Sequence, residues 1–345
     1  MLFTRPNSRW IFGISNSPAA PHITVTFSVL SLAFLCGSTT TADALNTSFS
    51  ARVTAFAAKL IAPVRSNTQP NGALIRSLSP YCILEKKPIV GTPKIRLSII
   101  LVAPKRASTG VCTVSALHAV FSHARGTALL LPGYALGKVS LLPYAIALAK
   151  KGFTSVLVDL PGQGDSGGAH IGYGYLEAKY LGALVAYLHR GDFAHGPLFV
   201  VGISYGASVA LDYAATRPKH LSAVLAVAPF ARIVPTIFRY LSRYQPQDIS
   251  AQTIARAIPM AEKELGYRFS EKSPLNMVSK IRAKVIYVGG TSDQLMPLKD
   301  IKLLKRRTQN AKLIIIQGMN HDDLVSDVAL LRRMVKSLVS KQNGG

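Results

Sequence analysis

The stretch Gly202-Ile203-Ser204-Tyr205-Gly206 constrains this chain more than any other. An apolar run over 198–201 leads into it and a helix-forming stretch over 207–215 leads out. A G-x-S-x-G between a strand and a helix is a sharp turn that lifts the serine hydroxyl clear of the sheet. Glycine flanks the turn because a side chain at 202 or 206 would collide with the neighbouring strand or helix. The five-residue pattern is common by itself, and its strand–turn–helix setting is what makes Ser204 a candidate nucleophile.

A serine nucleophile needs a base, and the base needs an acid to orient it. Residues 283–290 (AKVIYVGG) read as a buried strand with Thr291-Ser292-Asp293 just past its end. Residues 312–317 (KLIIIQ) read as the next strand, followed by Gly318-Met319-Asn320-His321. Catalytic groups gather at the carboxyl ends of strands in open α/β sheets. Ser204, Asp293 and His321 are therefore expected to converge as a catalytic triad. Asp322 and Asp323 follow the histidine and read as the N-terminal charges of a last helix over 323–340. Asp159 ends an apolar strand and starts a glycine-rich turn, which it is expected to brace. The remaining histidines considered (118, 123, 170, 189, 195, 220) show no paired ligand spacing, so no metal is expected. Gly162-Gln163-Gly164 lacks the spacing of a dinucleotide loop, and no cofactor is expected.

Strand and helix signals alternate: 127–131, 139–151, 154–159, 175–189, 198–201, the serine turn, then a strand at 223–228. Two further strands are expected near 95–103 and 111–121. The fold class is α/β, a mostly parallel twisted sheet with helices on both faces. Residues 231–276 interrupt this rhythm with several helical stretches carrying Arg239, Arg243, Tyr240 and Tyr244. The insertion reads as a small helical lid, with packing against the sheet as the alternative.

The segments LLLPGYALG (129–137), DLPGQGDSGG (159–168), VGISYGAS (201–208), GGTSDQLMP (289–297) and GMNHDDL (318–324) resemble the α/β-hydrolase superfamily. The resemblance runs from about Leu97 to Val339 and is nearest to monoglyceride-lipase-like and lysophospholipase-like serine esterases. It implies an oxyanion hole of two backbone N–H groups, those of Tyr205 and Tyr134. Many relatives begin the second loop with His-Gly. Here it reads Pro132-Gly133, which leaves open what supports the loop. The resemblance also implies that an insertion after the sixth strand forms a lid over the pocket.

The N-terminus reads as an export signal over 1–44. Arg5 and Arg9 precede an apolar core (23–35), and Ala42-Asp43-Ala44 offers a cleavage site. The expectation is a periplasmic or secreted protein, with a lipoprotein at Cys36 or an uncleaved anchor as the lesser alternative. Residues 45–95 read as an N-terminal extension with an amphipathic stretch at 49–61, and 96–345 as the hydrolase domain. The mature chain would keep Cys82 and Cys112, as a disulfide or as two buried thiols.

Forty Lys and Arg face sixteen Asp and Glu, a formal net charge of +24. Such a field favours peripheral contact with an anionic membrane or polysaccharide surface. No nucleic-acid motif is present and none is expected as partner. The runs 302–307 and 332–336 read as solvated helix faces. The expected activity is hydrolysis of carboxylic esters, lipid or acyl esters of modest size, by a Ser-His-Asp acyl-enzyme mechanism. Two alternatives stand: a serine aminopeptidase or amidase using an acid such as Glu262, Glu264 or Glu271, and a protein that binds anionic surfaces on a hydrolase scaffold.

Overall fold

The computed structural model describes residues 13–14, 23–24, 49–65, 81–104, 120–216, 218–244, 249–327, 329–330, 333–334 and 338. The chain divides into two units, residues 1–52 and 53–345. In the first, Gly13–Ile14 pairs antiparallel with Ile23–Thr24, and helix α1 (Phe49–Ile61) begins. Most of the expected export signal lies outside the described residues.

The second unit is built on one eight-stranded sheet. Its strands are β1 (Tyr81–Lys86), β2 (Ile99–Pro104), β3 (Thr127–Leu131), β4 (Thr154–Val158), β5 (Leu198–Ile203), β6 (Leu221–Val227), β7 (Lys284–Gly290) and β8 (Ala311–Ile316). They lie in the order β8-β7-β6-β5-β3-β4-β2-β1. β2 runs antiparallel to both neighbours, and every other pairing is parallel. Strands β3 to β5 are buried at every position, and β6 and β7 at all but one. Burial at successive residues means that both faces are covered, as a parallel sheet with crossover helices requires. Helices α2 (Leu142–Ala149), α3 (Tyr175–Arg190), α4 (Tyr205–Ala215), α5 (Ile233–Tyr244), α6 (Ala251–Leu265), α7 (Leu298–Arg307) and α8 (His321–Ser326) complete the main elements.

Most of the strand expected near 111–121 lies outside the described residues, as 105–119 all do, and residues 120–122 are helical. The strand beside β2 is β1, which precedes it. β1 pairs Tyr81 with Pro104 through to Lys86 with Ile99, a pairing no local periodicity announced. Cys82 on β1 is disulfide-bonded, and its partner lies outside the described residues. The expected last helix at 323–340 is broken at Asp327: α8 runs over His321–Ser326, and the described residues beyond it (329–330, 333–334 and 338) are helical again.

From Val53 onward, α1 buries Val53, Phe56, Ala57, Leu60 and Ile61, a spacing that lays one stripe on the core. The chain after it is stitched to the loop that follows β4. Ile171 N–H donates to Ile61 O at 2.9 Å, Val64 N–H to Gly162 O at 2.6 Å, and Gly164 N–H to Val64 O at 3.1 Å. The Arg65 guanidinium caps carbonyls of Gly164, Ser166 and Gly168.

Candidate active site

Ser204 sits between β5 and α4 with φ 51° and ψ −113°, a strained left-handed backbone for a residue with a Cβ. Close packing enforces the turn. A Cβ at Gly202 would fall 2.2 Å from Gly206 O, and one at Gly206 would fall 2.3 Å from Leu131 O. Ser204 N–H is tied to Val227 O at 2.8 Å.

The three candidate residues meet. Ser204 Oγ lies 3.0 Å from His321 Nε2, and His321 Nδ1 lies 2.8 Å from Asp293 Oδ2. A carboxylate oxygen can only accept, so Nδ1 carries the proton and Nε2 is free to accept from the serine hydroxyl. Asp293 is held in turn by Met296 N–H at 2.7 Å on its other oxygen. All three are buried, Ser204 at 9% exposure, His321 at 5% and Asp293 at 4%. His321 opens α8, whose first turn also holds Asp322 and Asp323, and Asn320 caps it by accepting from Asp323 N–H at 3.0 Å.

The backbone N–H groups of Tyr134 and Tyr205 have no acceptor among the described residues. Tyr205 opens α4, so its N–H is a first-turn donor at the positive end of a helix dipole. The loop carrying Tyr134 passes beside the serine: a Cβ at Gly133 would lie 3.6 Å from Ser204 Cβ. Tyr134 is half-buried, and burial pushes its phenol up to about 12.

Sequence reasoning missed the polar groups that hold these parts. Gln163 Oε1 accepts from Ala135 N–H at 3.2 Å. Asp159 does brace its turn, accepting Asp165 N–H at 3.1 Å, and it also reaches across to Lys138. It takes Lys138 N–H at 2.7 Å and Lys138 Nζ at 2.8 Å. Burial alone would lower the Lys138 pKa, but bonding and charge from Asp159 and then Asp165 hold it above the ordinary lysine value. Behind Tyr205, Glu177 accepts the phenol at 2.5 Å and the N–H groups of Gly172 and Gly174 at 2.7 and 2.8 Å. Burial pushes the Glu177 carboxyl up against these bonds. The one sequence signal for Glu177 was its place at the third position of α3, where a carboxylate reaches back to the helix start.

The insertion leaves and returns at one point, Leu275 N–H donating to Ala231 O at 3.0 Å. Its first helix, α5, touches all three loops of the site. Tyr240 stands edge-on to Tyr134 with centroids 5.4 Å apart, Arg239 Nε donates to Leu295 O at 2.8 Å, and Arg243 pairs with Asp322 at 3.0 Å. A cleft of about 670 Å³ lies against α5 and α6, lined by Phe238, Leu241, Ile254 and Leu295 with Arg239 and Arg243. Ser204 and His321 are not in its lining, and it approaches the site through Gln294 and Leu295, which follow Asp293.

The fold brings a serine, a histidine and an aspartate into one hydrogen-bonded chain. The family description "Serine aminopeptidase, S33" (Hydrolase_4) matches residues 122–273. YqkD of Bacillus subtilis (strain 168), an uncharacterized protein, is 24% identical over 225 residues, 63% of this chain and 72% of its own. Among solved structures, the Pyrococcus furiosus esterase Pf2001 superposes with a TM-score of 0.58 at 19% identity, covering 81% of this chain and 96% of that one. A membrane phospholipase A, a bacterial virulence factor, superposes with a TM-score of 0.55 at 16% identity over 79% and 91%. The chain has the α/β-hydrolase fold.

Proposed function

We propose that this protein is an exported serine esterase that cleaves carboxylic esters with acyl or lipid-like groups of modest size. The observation that carries the reading is the hydrogen-bonded chain from Ser204 through His321 to Asp293, set beside two N–H groups without acceptors among the described residues. Ser204 Oγ attacks the ester carbonyl carbon while its proton passes to His321 Nε2. The carbonyl oxygen gathers the charge and is held by the Tyr134 and Tyr205 N–H groups. Collapse expels the alcohol, which takes the proton from His321 and leaves an acyl-enzyme on Ser204. Water then attacks the acyl carbon with His321 as base, releasing the acid and restoring the serine. Asp293 keeps the imidazole in the right tautomer throughout.

The cleft beside α5 is of ligand size and sets Phe238, Leu241 and Ile254 beside Arg239 and Arg243, a mixed lining that supports an acyl ester of modest size. The esterase and phospholipase folds among the neighbours support the same class. The family description favours an amide substrate instead. The acids proposed for that reading are otherwise engaged or outward: Glu262 accepts Phe269 N–H at 2.7 Å, Glu264 lies 3.5 Å from His170 at the surface, and Glu271 is exposed. Esters are therefore preferred. The disulfide at Cys82 supports export, since such bonds persist in oxidising compartments. Lys302, Lys305, Arg306 and Arg307 lie exposed on α7 and, with the net charge, support peripheral contact with anionic surfaces.

The test is turnover of p-nitrophenyl esters from acetate to palmitate by wild type and Ser204→Ala. Wild-type activity lost by about 10⁴- to 10⁶-fold in the variant is the expected result. No turnover, together with no labelling of Ser204 by a fluorophosphonate, overturns the reading.

A further inference from the structure

The Tyr134 N–H sits in a turn that is poorly supported by its own chain. Ala135 has φ 60°, a left-handed conformation for a residue with a Cβ, and the turn's local bond is Leu136 N–H to Gly133 O at 3.1 Å. Among the described residues, the tertiary hydrogen bond received by positions 133–136 comes from Gln163, whose Oε1 accepts Ala135 N–H. The next anchor is Lys138, held by Asp159 at the start of the same loop that carries Gln163.

Gln163 is held in place on every side. Its side chain is fully buried, its N–H donates to Leu160 O at 2.9 Å, and its carbonyl accepts Ser166 N–H at 3.1 Å. The residues on either side of it, Gly162 and Gly164, are both bonded to Val64. The side-chain amide nitrogen of Gln163 has no partner among the described residues. That decides the orientation of the carboxamide, since only the oxygen can accept from Ala135. It also means that the residue carries an unmet buried donor, which costs stability. A group of this kind serves the fold poorly and the turn well.

We propose that Gln163 is a positioning residue for the hydrolysis: it aims the Tyr134 N–H at the developing oxyanion by holding the turn at Ala135. The proposal rests on the esterase reading above and supplies the loop support that Pro132-Gly133 leaves open. Misplacing one oxyanion donor lowers the rate of the chemical step and leaves ground-state binding nearly unchanged.

The experiment compares Gln163→Met, which keeps the length and removes the acceptor, with Gln163→Asn, which keeps the polarity and cannot reach Ala135. Each is measured for kcat and KM on a short-chain p-nitrophenyl ester, for inhibition by a trifluoromethyl ketone that forms a tetrahedral adduct, and for Tm. The expected result is a kcat lowered by about 10- to 100-fold with KM within about twofold. The ketone is expected to weaken in parallel, and the Tm of Gln163→Met to hold or rise. A purely structural role would lower Tm without separating adduct affinity from KM. A folded variant whose kcat and adduct affinity stay within about twofold of wild type overturns the proposal, as does failure of both variants to fold. An active wild type beside an equally active Gln163→Met removes only the role of Gln163. A wild type that neither turns over nor takes the fluorophosphonate removes the esterase reading and this proposal together.

Discussion

Arg243 on the insertion helix α5 donates to the carboxylate of Asp322, the residue directly after His321, at 3.0 Å. Tyr244 OH reaches the other oxygen of the same carboxylate at 3.2 Å. The pair ties the insertion to the loop that carries the candidate base, as Tyr240 ties it to Tyr134.

The first prediction concerns that tie. Both partners are partly exposed, so the bond contributes at most about 1 kcal/mol and weakens with salt. Asp322→Asn is expected to leave Tm within about 2 °C and to raise kcat/KM for long-chain esters more than for acetate, because opening matters most for bulky substrates. Equal effects on both chain lengths, or none, would sink the latch.

Two glycines on neighbouring elements should respond with opposite signs. A Cβ at Gly206 meets backbone oxygens of Leu131 and Pro132 at 2.3 and 2.4 Å, which cannot yield without parting α4 from β3. Gly206→Ala is expected to cost about 3 kcal/mol or more, roughly 10 °C in Tm. Gly182, inside α3, has nothing within 4 Å of its built Cβ, and Gly182→Ala is expected to add about 0.5–1 kcal/mol. Thermal melts of the two variants check both signs.

The Lys138–Asp159 pair is buried on both sides, 4% and 2% exposed at the side chain. Lys138→Met strands a buried carboxylate that keeps only its backbone donors. The expected loss is about 3–5 kcal/mol. Replacing both partners by apolar residues should recover part of it. Chemical denaturation of the single and double variants tests this, and a single variant as stable as wild type contradicts it.

Asp212 on α4 is fully enclosed, and neither carboxylate oxygen has a partner among the described residues. Burial, and then the charge of Glu177, push its pKa well above the ordinary value. An acid raised in the folded state contributes stability that is present below its unfolded pKa near 4 and lost as pH rises through the folded value. Asp212→Asn removes that loss. The unfolding free energy of the variant minus that of wild type should therefore grow from pH 5 to pH 8, by at most about 1.4 kcal/mol per pH unit. A difference that stays flat with pH counts against it.

Much of this molecule was legible because its signals are local. The turn at Ser204 needs only five residues and its two flanking elements, and Asp293 and His321 each follow an apolar run that reads as a strand. The stripe of α1 shows in the spacing of Val53, Phe56, Ala57, Leu60 and Ile61. The antiparallel place of β1 did not show, because a mix of half-buried and exposed edge residues, such as Leu84 and Glu85, has no run that separates it from loop. Gln163, Lys138 and Glu177 did not show either. A lone polar residue looks the same in sequence whether it is solvated or folded into the core.

The sequence by itself therefore determined the order of the elements, the nucleophile turn and the loops that carry an acid and a base. Each of these depends on neighbours within a few positions. Only the tertiary structure decided which edge strand pairs with β2, how the chain after α1 braces the loop after β4, and which buried amide and acids stand behind Tyr134 and Tyr205. Those choices are made by hydrogen bonds between residues up to about a hundred positions apart, such as Arg65 to Ser166, and their energy appears only once the sheet has brought the partners together.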